Sequence, residues 1–193
     1  MNPRATLGLC LVLSVVTLLA SCNTHRLARE PVAHTTTGSD AGPTVLRSAL
    51  ESFGLSVTDY DALARECGVD ARTGTSIDDL ERAANRRGLQ ASQVIETTEN
   101  VVRAEGVMPA IAVVDGAKSL DFWLLWRRDR GRVVVMDPRR GVVRLSIEAV
   151  QKALHLHEMD VPASPEAMAS SVMVSRNGGL VHVRGAVVVK LSH

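Results

Sequence analysis

A chain of 193 residues accommodates one domain of about 100 to 150 residues with appendages, and not a second full domain. Its 22 Lys+Arg against 21 Asp+Glu, a formal charge of +1, leave no basic excess to meet a phosphate backbone, so nucleic acid is excluded as an expected partner. Aromatics make up 3% of a chain that is 46% hydrophobic, so Val, Leu, Ile and Ala have to supply the core.

In chain order, residues 1–22 read as a targeting segment. Arg4 gives a positive start, and Leu7 to Ala20 form an apolar stretch too short and wrongly flanked for a membrane span. Leu19-Ala20-Ser21-Cys22 resembles a bacterial lipobox, which implies acylation of Cys22 and a lipid anchor in the cell envelope. Asn23 after the cysteine is similar to outer-membrane sorting in Gram-negative hosts. Residues 23–40, with Pro31, Thr35-Thr36-Thr37 and Gly38-Ser39, read as a flexible tether. With Cys10 lost in the signal and Cys22 acylated, Cys67 has no disulfide partner and reads as packing.

From Pro43, the residues Val45, Leu46, Ala49, Leu50 and Phe53 recur at helical spacing up to Gly54, with Asp40 as a candidate cap. A second helix is signalled by Thr58 before Asp61, runs through Leu63 and Cys67, and stops at Gly68. A third starts at Thr75 or Ser76 and ends at Gly88. Leu89–Ile95 alternates loosely, and strands follow at Pro109–Val114, Leu120–Trp126, Arg132–Asp137 and Gly141–Ser146, with short helices at Thr98–Glu105 and Ile147–Leu154. Asp129-Arg130-Gly131 marks a hairpin turn. Helices followed by strands give an α+β class, with N-terminal helices packed on one face of an antiparallel sheet. After Pro162 a small-residue stretch leads to a hairpin centred on Asn177-Gly178-Gly179, whose strands pair either with the main sheet or with a partner.

Five patches, "DAGPTVLRSALESFG", "LARECGVDARTGTSIDDLERAANRRGLQA", "MPAIAVV", "DFWLLW" and "VVVMDPRRGVVRLSIEAV", together resemble in order and spacing the double-glycine leader peptidases of bacteriocin exporters, cysteine peptidase family 39. The resemblance implies a papain-like fold and divides the chain into signal (1–22), tether (23–40), peptidase-like domain (41–161) and C-terminal extension (162–193). It also implies four reacting positions. The nucleophilic cysteine of the family, activated at a helix N-terminus, falls at Ala41. The histidine that shuttles the proton falls at Asp121, whose carboxyl is a poor base at neutral pH. The glutamine of the oxyanion hole falls near Thr35. The acid that orients the histidine is retained as Asp137 in Asp137-Pro138, although Asp-Pro is also an ordinary turn former.

The leading reading is therefore a pseudopeptidase that binds peptides or unfolded segments without cutting them, anchored to the membrane and needing no cofactor. Three others stand beside it. One is an envelope component that joins a partner protein by strand addition. The second is a hard-cation site made by Asp40, Asp121 and Asp137. The third is an active enzyme that pairs Cys67 with His34, His155 or His157. Arg127, Arg128, Arg130, Arg132, Arg139, Arg140 and Arg144 crowd adjacent turns and read either as a solvated rim or as an attraction to anionic lipid or an acidic partner.

Overall fold

The computed structural model describes residues 29–36, 40–69, 74–116, 120–162, 173–177 and 180–193. The signal segment, Cys22 and the expected turn glycines Gly178 and Gly179 lie outside them. Among the described residues no helix is long and apolar enough to cross a membrane.

Helix α1 spans Ala41–Ser52 and buries the expected stripe: Val45, Leu46 and Ala49 are fully buried and Leu50 nearly so. Pro43 sits in its first turn, where no N–H is required. Asp40 precedes the helix, but its side chain makes no capping bond; its backbone carbonyl accepts the Thr44 N–H at 3.0 Å instead. Helix α2 is Tyr60–Glu66, capped by Asp59, whose Oδ1 accepts the Ala62 N–H at 2.8 Å, rather than by Thr58. Asp59 stands directly before the first helical residue in an extended conformation, which gives its short side chain the reach that Thr58, one residue earlier, lacks. Helix α3, Ile77–Arg86, starts at a reciprocal cap in which Ser76 accepts the Asp79 N–H and donates to the Asp79 carboxylate.

Strand β1 (Gln90–Glu96) leads through the short helix α4 (Thr98–Arg103) to β2 (Ala110–Asp115), β3 (Leu120–Asp129), β4 (Arg132–Asp137) and β5 (Gly141–Ser146). The β3–β4 turn has Asp129 opposite Arg132, with Arg130 at φ 50° and Gly131 at φ 78°. Both central residues are left-handed, the geometry whose twist matches a two-residue hairpin. Helix α5 (Ile147–Ala153) follows, then β6 (Leu156–Pro162), β7 (Met173–Asn177) and β8 (Leu180–Ser192).

All strands join one antiparallel sheet in the order β1-β8-β2-β3-β4-β5, with β6 and β7 also paired to β8. The segment expected as a C-terminal extension thus supplies a central strand. Residues Ala186–Ser192 of β8 pair with β1, and Val188–Lys190 pair with β2 on the other side. Pro31–His193 accordingly forms one compact unit. Part of the expected tether belongs to it as well, since Val32 N–H donates to Ser52 Oγ at 2.8 Å and Thr36 N–H to Pro138 O at 2.6 Å.

The helices lie on both faces of the sheet, not on one. Helix α1 crosses β3, where the Phe53 and Trp126 rings meet edge to face at 5.3 Å. A separate buried cluster joins Val101, Val102 and Val150 of α4 and α5 to Ala112, Trp123, Leu125, Val133 and Val135. Double coverage accounts for the unbroken apolar runs of β2 and β4, which a sheet with one wet face would alternate with polar residues.

Removal of residues 180–192 should abolish cooperative unfolding in urea, read by circular dichroism, because β1 and β2 then lose their shared neighbour. An unchanged midpoint would mark the segment as an appendage.

Candidate functional site

At the head of α1, Ala41 is half-buried and presents a methyl group. The next residue has to be glycine. A Cβ on Gly42 would come within 2.9 Å of Thr75 Cβ and 3.0 Å of its Oγ1, inside any normal contact. Thr75 thus wedges the front of α3 against the first turn of α1. Its hydroxyl is buried with no hydrogen-bond partner among the described residues.

Asp121 enters at the start of β3 and Asp137 ends β4, both almost fully buried. Asp121 Oδ1 accepts the Phe122 N–H at 2.9 Å, and its Oδ2 accepts Nε of Arg139 at 2.9 Å. Asp137 Oδ1 accepts the Arg139 N–H at 2.8 Å, and its Oδ2 accepts Nε of Arg140 at 2.8 Å. Arg139 therefore bridges the two acids, one through its backbone and one through its side chain. The carboxylates are hidden while the arginine heads are more than half exposed, 56% for Arg139 and 62% for Arg140. Buried charge is tolerated in this form because each oxygen has a donor and each acid a counter-charge.

The segment before α1 closes the other side. Thr35 is exposed, with its methyl 3.9 Å from where a Cβ on Gly141 would lie, so it rests on the β4–β5 turn. Thr35 and Asp40 line a cavity of about 180 Å³ together with His34, Thr36, Thr44, Arg47 and Tyr60. Within this wall Glu51 takes Arg47 Nε at 2.9 Å and His34 Nε2 at 2.7 Å. Burial opposes the Glu51 charge, but the hydrogen bonds from Arg47 and His34, with their positive fields, outweigh it and hold the carboxyl below its ordinary value. Tyr60, whose hydroxyl meets Thr44 Oγ1 at 2.9 Å, has its pKa raised, chiefly by burial.

Two of the alternative readings gain no support from this geometry. Asp40, Asp121 and Asp137 do not form a cation site: among the described residues no three His, Cys, Asp or Glu side chains are arranged to hold a metal, and the Asp121 and Asp137 oxygens are committed to arginine and backbone donors. Nor is Cys67 a relocated nucleophile. It is fully buried, and burial, followed by the fields of Glu66 and Asp79, pushes its thiol up to about 12. Its charged neighbours are Glu66, Asp79 and Arg87, with no histidine among them. His34 is held by Glu51, while His155 bonds Asp115 at 2.6 Å and stacks edge-on with His157 at 4.8 Å. Burial, then the neighbouring His155, lowers the pKa of His157.

Sequence reasoning gave Arg139 and Arg140 only as part of a basic rim. Their position two and three residues after Asp137, inside the turn that Pro138 opens, was the available signal for the Asp137 contacts; nothing local pointed to Asp121. His34, Arg47 and Glu51 as a joined group had no signal of their own, because they come from different elements.

A central helix capped against a twisted antiparallel sheet, with the acid-bearing strand ends at the head of that helix's neighbour strands, defines a papain-like α+β domain. The Peptidase C39 family model matches residues 29–155, well over half of the chain, and the chain belongs to that family. Among solved structures, it is similar to a double glycine motif protease from an AMS/PCAT transporter in complex with the leader peptide. The TM-score is 0.58 at 19% identity, covering 82% of this chain and 92% of that one. It is also similar to the peptidase domain of Streptococcus ComA, a bifunctional ABC transporter of a quorum-sensing pathway. There the TM-score is 0.55 at 18% identity, covering 79% of this chain and 96% of that one. At these identities the likeness is one of fold. No curated protein matches the chain.

Arg139→Ala leaves Asp121 buried with one backbone donor and no counter-charge. The expected loss is about 1–3 kcal/mol, toward the lower end because the arginine head is solvated, read as a fall in the urea midpoint. Cys67 gives a pH dependence of stability. The folded thiol holds its proton up to about 12 while an unfolded one releases it near 9, so Cys67 lowers stability as pH rises between those values. Cys67→Ala should flatten the alkaline fall in thermal midpoint; an unaltered slope would count against the buried thiol as its source.

Proposed function

We propose that this chain is a membrane-tethered pseudopeptidase, a C39 domain that binds a peptide or unfolded segment and does not cut it. The observation that carries the reading is the commitment of Asp121 and Asp137 to Arg139 and Arg140, at the positions where the family resemblance puts the base and its orienting acid. Ala41 stands at the nucleophile position with no lone pair to attack a carbonyl. Where a catalytic triad acts as a unit, loss of the nucleophile alone costs on the order of 10⁶ in turnover. A second departure at the base leaves no proton shuttle near pH 7. The fold that presents a substrate is kept, since α1 remains packed across β3 and the preceding segment still lies along it. The related AMS/PCAT protease was crystallised with a leader peptide, which makes double-glycine leader peptides the first ligand class to try here. Acylation at Cys22 would hold the domain at an envelope membrane, the outer one in a Gram-negative host.

Calorimetric titration of the protein with double-glycine leader peptides and with unfolded polypeptide should give micromolar binding, and mass spectrometry should recover the peptides intact. Absence of heat up to high micromolar concentration would sink the reading. Ala41→Cys alone should remain inactive, because a cysteine without a base stays largely protonated, whereas Ala41→Cys with Asp121→His should yield measurable cleavage. Cleavage by the single variant would reveal a surviving base.

A further inference from the structure

The β3–β4 hairpin tip carries a charge the rest of the molecule does not. Arg127, Arg128, Arg130, Arg132 and Arg144 are gathered there by the pairing of Arg128 with Val133, Asp129 with Arg132 and Val134 with Arg144. Asp129 lies among them, 3.7 Å from both Arg127 and Arg144. Arg128, Arg130 and Arg132 are exposed and have no acid within ion-pair reach among the described residues. The next carboxyl along the rim, Glu148, is engaged by its own backbone N–H and by Ser146. Several basic side chains elsewhere stand beside an acid: Arg47 with Glu51, Arg82 with Asp79, Arg87 with Glu66, Arg184 with Glu158, Lys190 with Glu96. The local excess thus exceeds the formal charge of +1 of the whole chain.

The place of the tip is as telling as its charge. The chain enters the compact unit at Pro31, and Val32 is bonded to Ser52 at the C-terminal end of α1. That end meets Trp126, three residues, or about 10 Å, before Asp129 at the tip. Entry point and basic tip therefore share one end of the domain, while Ala41, Asp121 and Asp137 lie at the other end of α1 and β3. Ten residues separate Cys22 from Val32 in sequence, a reach of at most about 35 Å.

We propose that the Arg128-Arg130-Arg132 tip docks on the anionic headgroups of the membrane that holds Cys22, so that the opposite end of the domain faces away from the bilayer. This rests on the anchored reading above and adds an orientation to it. Each arginine near an anionic surface strengthens attachment about five-fold, so three together are worth on the order of a hundred-fold at low salt.

The test uses the full chain, expressed in a Gram-negative host, purified from its membranes and reconstituted on vesicles of phosphatidylcholine with or without phosphatidylglycerol. Retention on neutral vesicles reports the anchor. Amide exchange of residues 127–133 reports the tip. Exchange there should slow several-fold on the anionic vesicles alone, recover in 0.5 M salt, and not slow in Arg128→Gln/Arg130→Asn/Arg132→Gln, where Asn keeps the positive φ that the turn requires. Equal exchange on both vesicle types, with the protein retained on both, overturns the proposal and leaves the anchor standing. Protection by added polyglutamate and not by anionic vesicles also overturns it, in favour of an acidic protein. Loss of protein from neutral vesicles with tip protection still present on anionic ones fails the anchor and upholds the tip.

Discussion

Helix α1 buries Val45, Leu46, Ala49 and Leu50 and lays Phe53 edge-on against Trp126 of β3, and this contact sets the position of every group at the site. Each of the Val and Leu side chains is worth about 1.5–3 kcal/mol out of water, so the helix resists sliding along the sheet. Its first turn is fixed from in front by Thr75, which leaves Gly42 room for a hydrogen and nothing larger. In a papain-like peptidase such rigidity serves the attacking atom. Here it holds Ala41 at the head of the helix.

The buried charge at the site is answered within the protein. Two buried carboxylates on adjacent strands would repel each other; Arg139 and Arg140 answer both from the turn that follows β4. The arrangement is a staple of the β3 start to the β4–β5 turn, and Thr36 adds a backbone bond to the same turn at Pro138. Both acids turn toward arginine, and the strand ends are held by ion pairs.

Much of the fold could be read from the chain because its signals are local. The stripe through α1, the reciprocal Ser76–Asp79 cap and the Arg130-Gly131 turn each depend on residues within four positions of one another. What escaped depends on pairing across long separations. The alternation in Leu180–Ser192 identifies a strand but says nothing of its neighbours, and its insertion between β1 and β2 is decided by two apolar faces that form only when the whole sheet assembles. Likewise β6, with His157 and Glu158 in its run, has no clean periodicity and exists because β8 offers it an edge. At the site, Asp137 and Arg140 are near neighbours in sequence, whereas Asp121 and Arg139 lie 18 residues apart, and only the β3–β4 ladder brings them to contact.

The insertion of β8 also governs when the domain comes into being. Glu96 of β1 pairs with Ala186, about ninety residues later, and β1 reaches β2 only through that strand. The early helices and β1–β5 can collapse as the chain emerges, yet no closed sheet exists until β8 has arrived, and long-range strand pairing is the slow part of folding. A polypeptide of this design completes its sheet only after its last strand has been made.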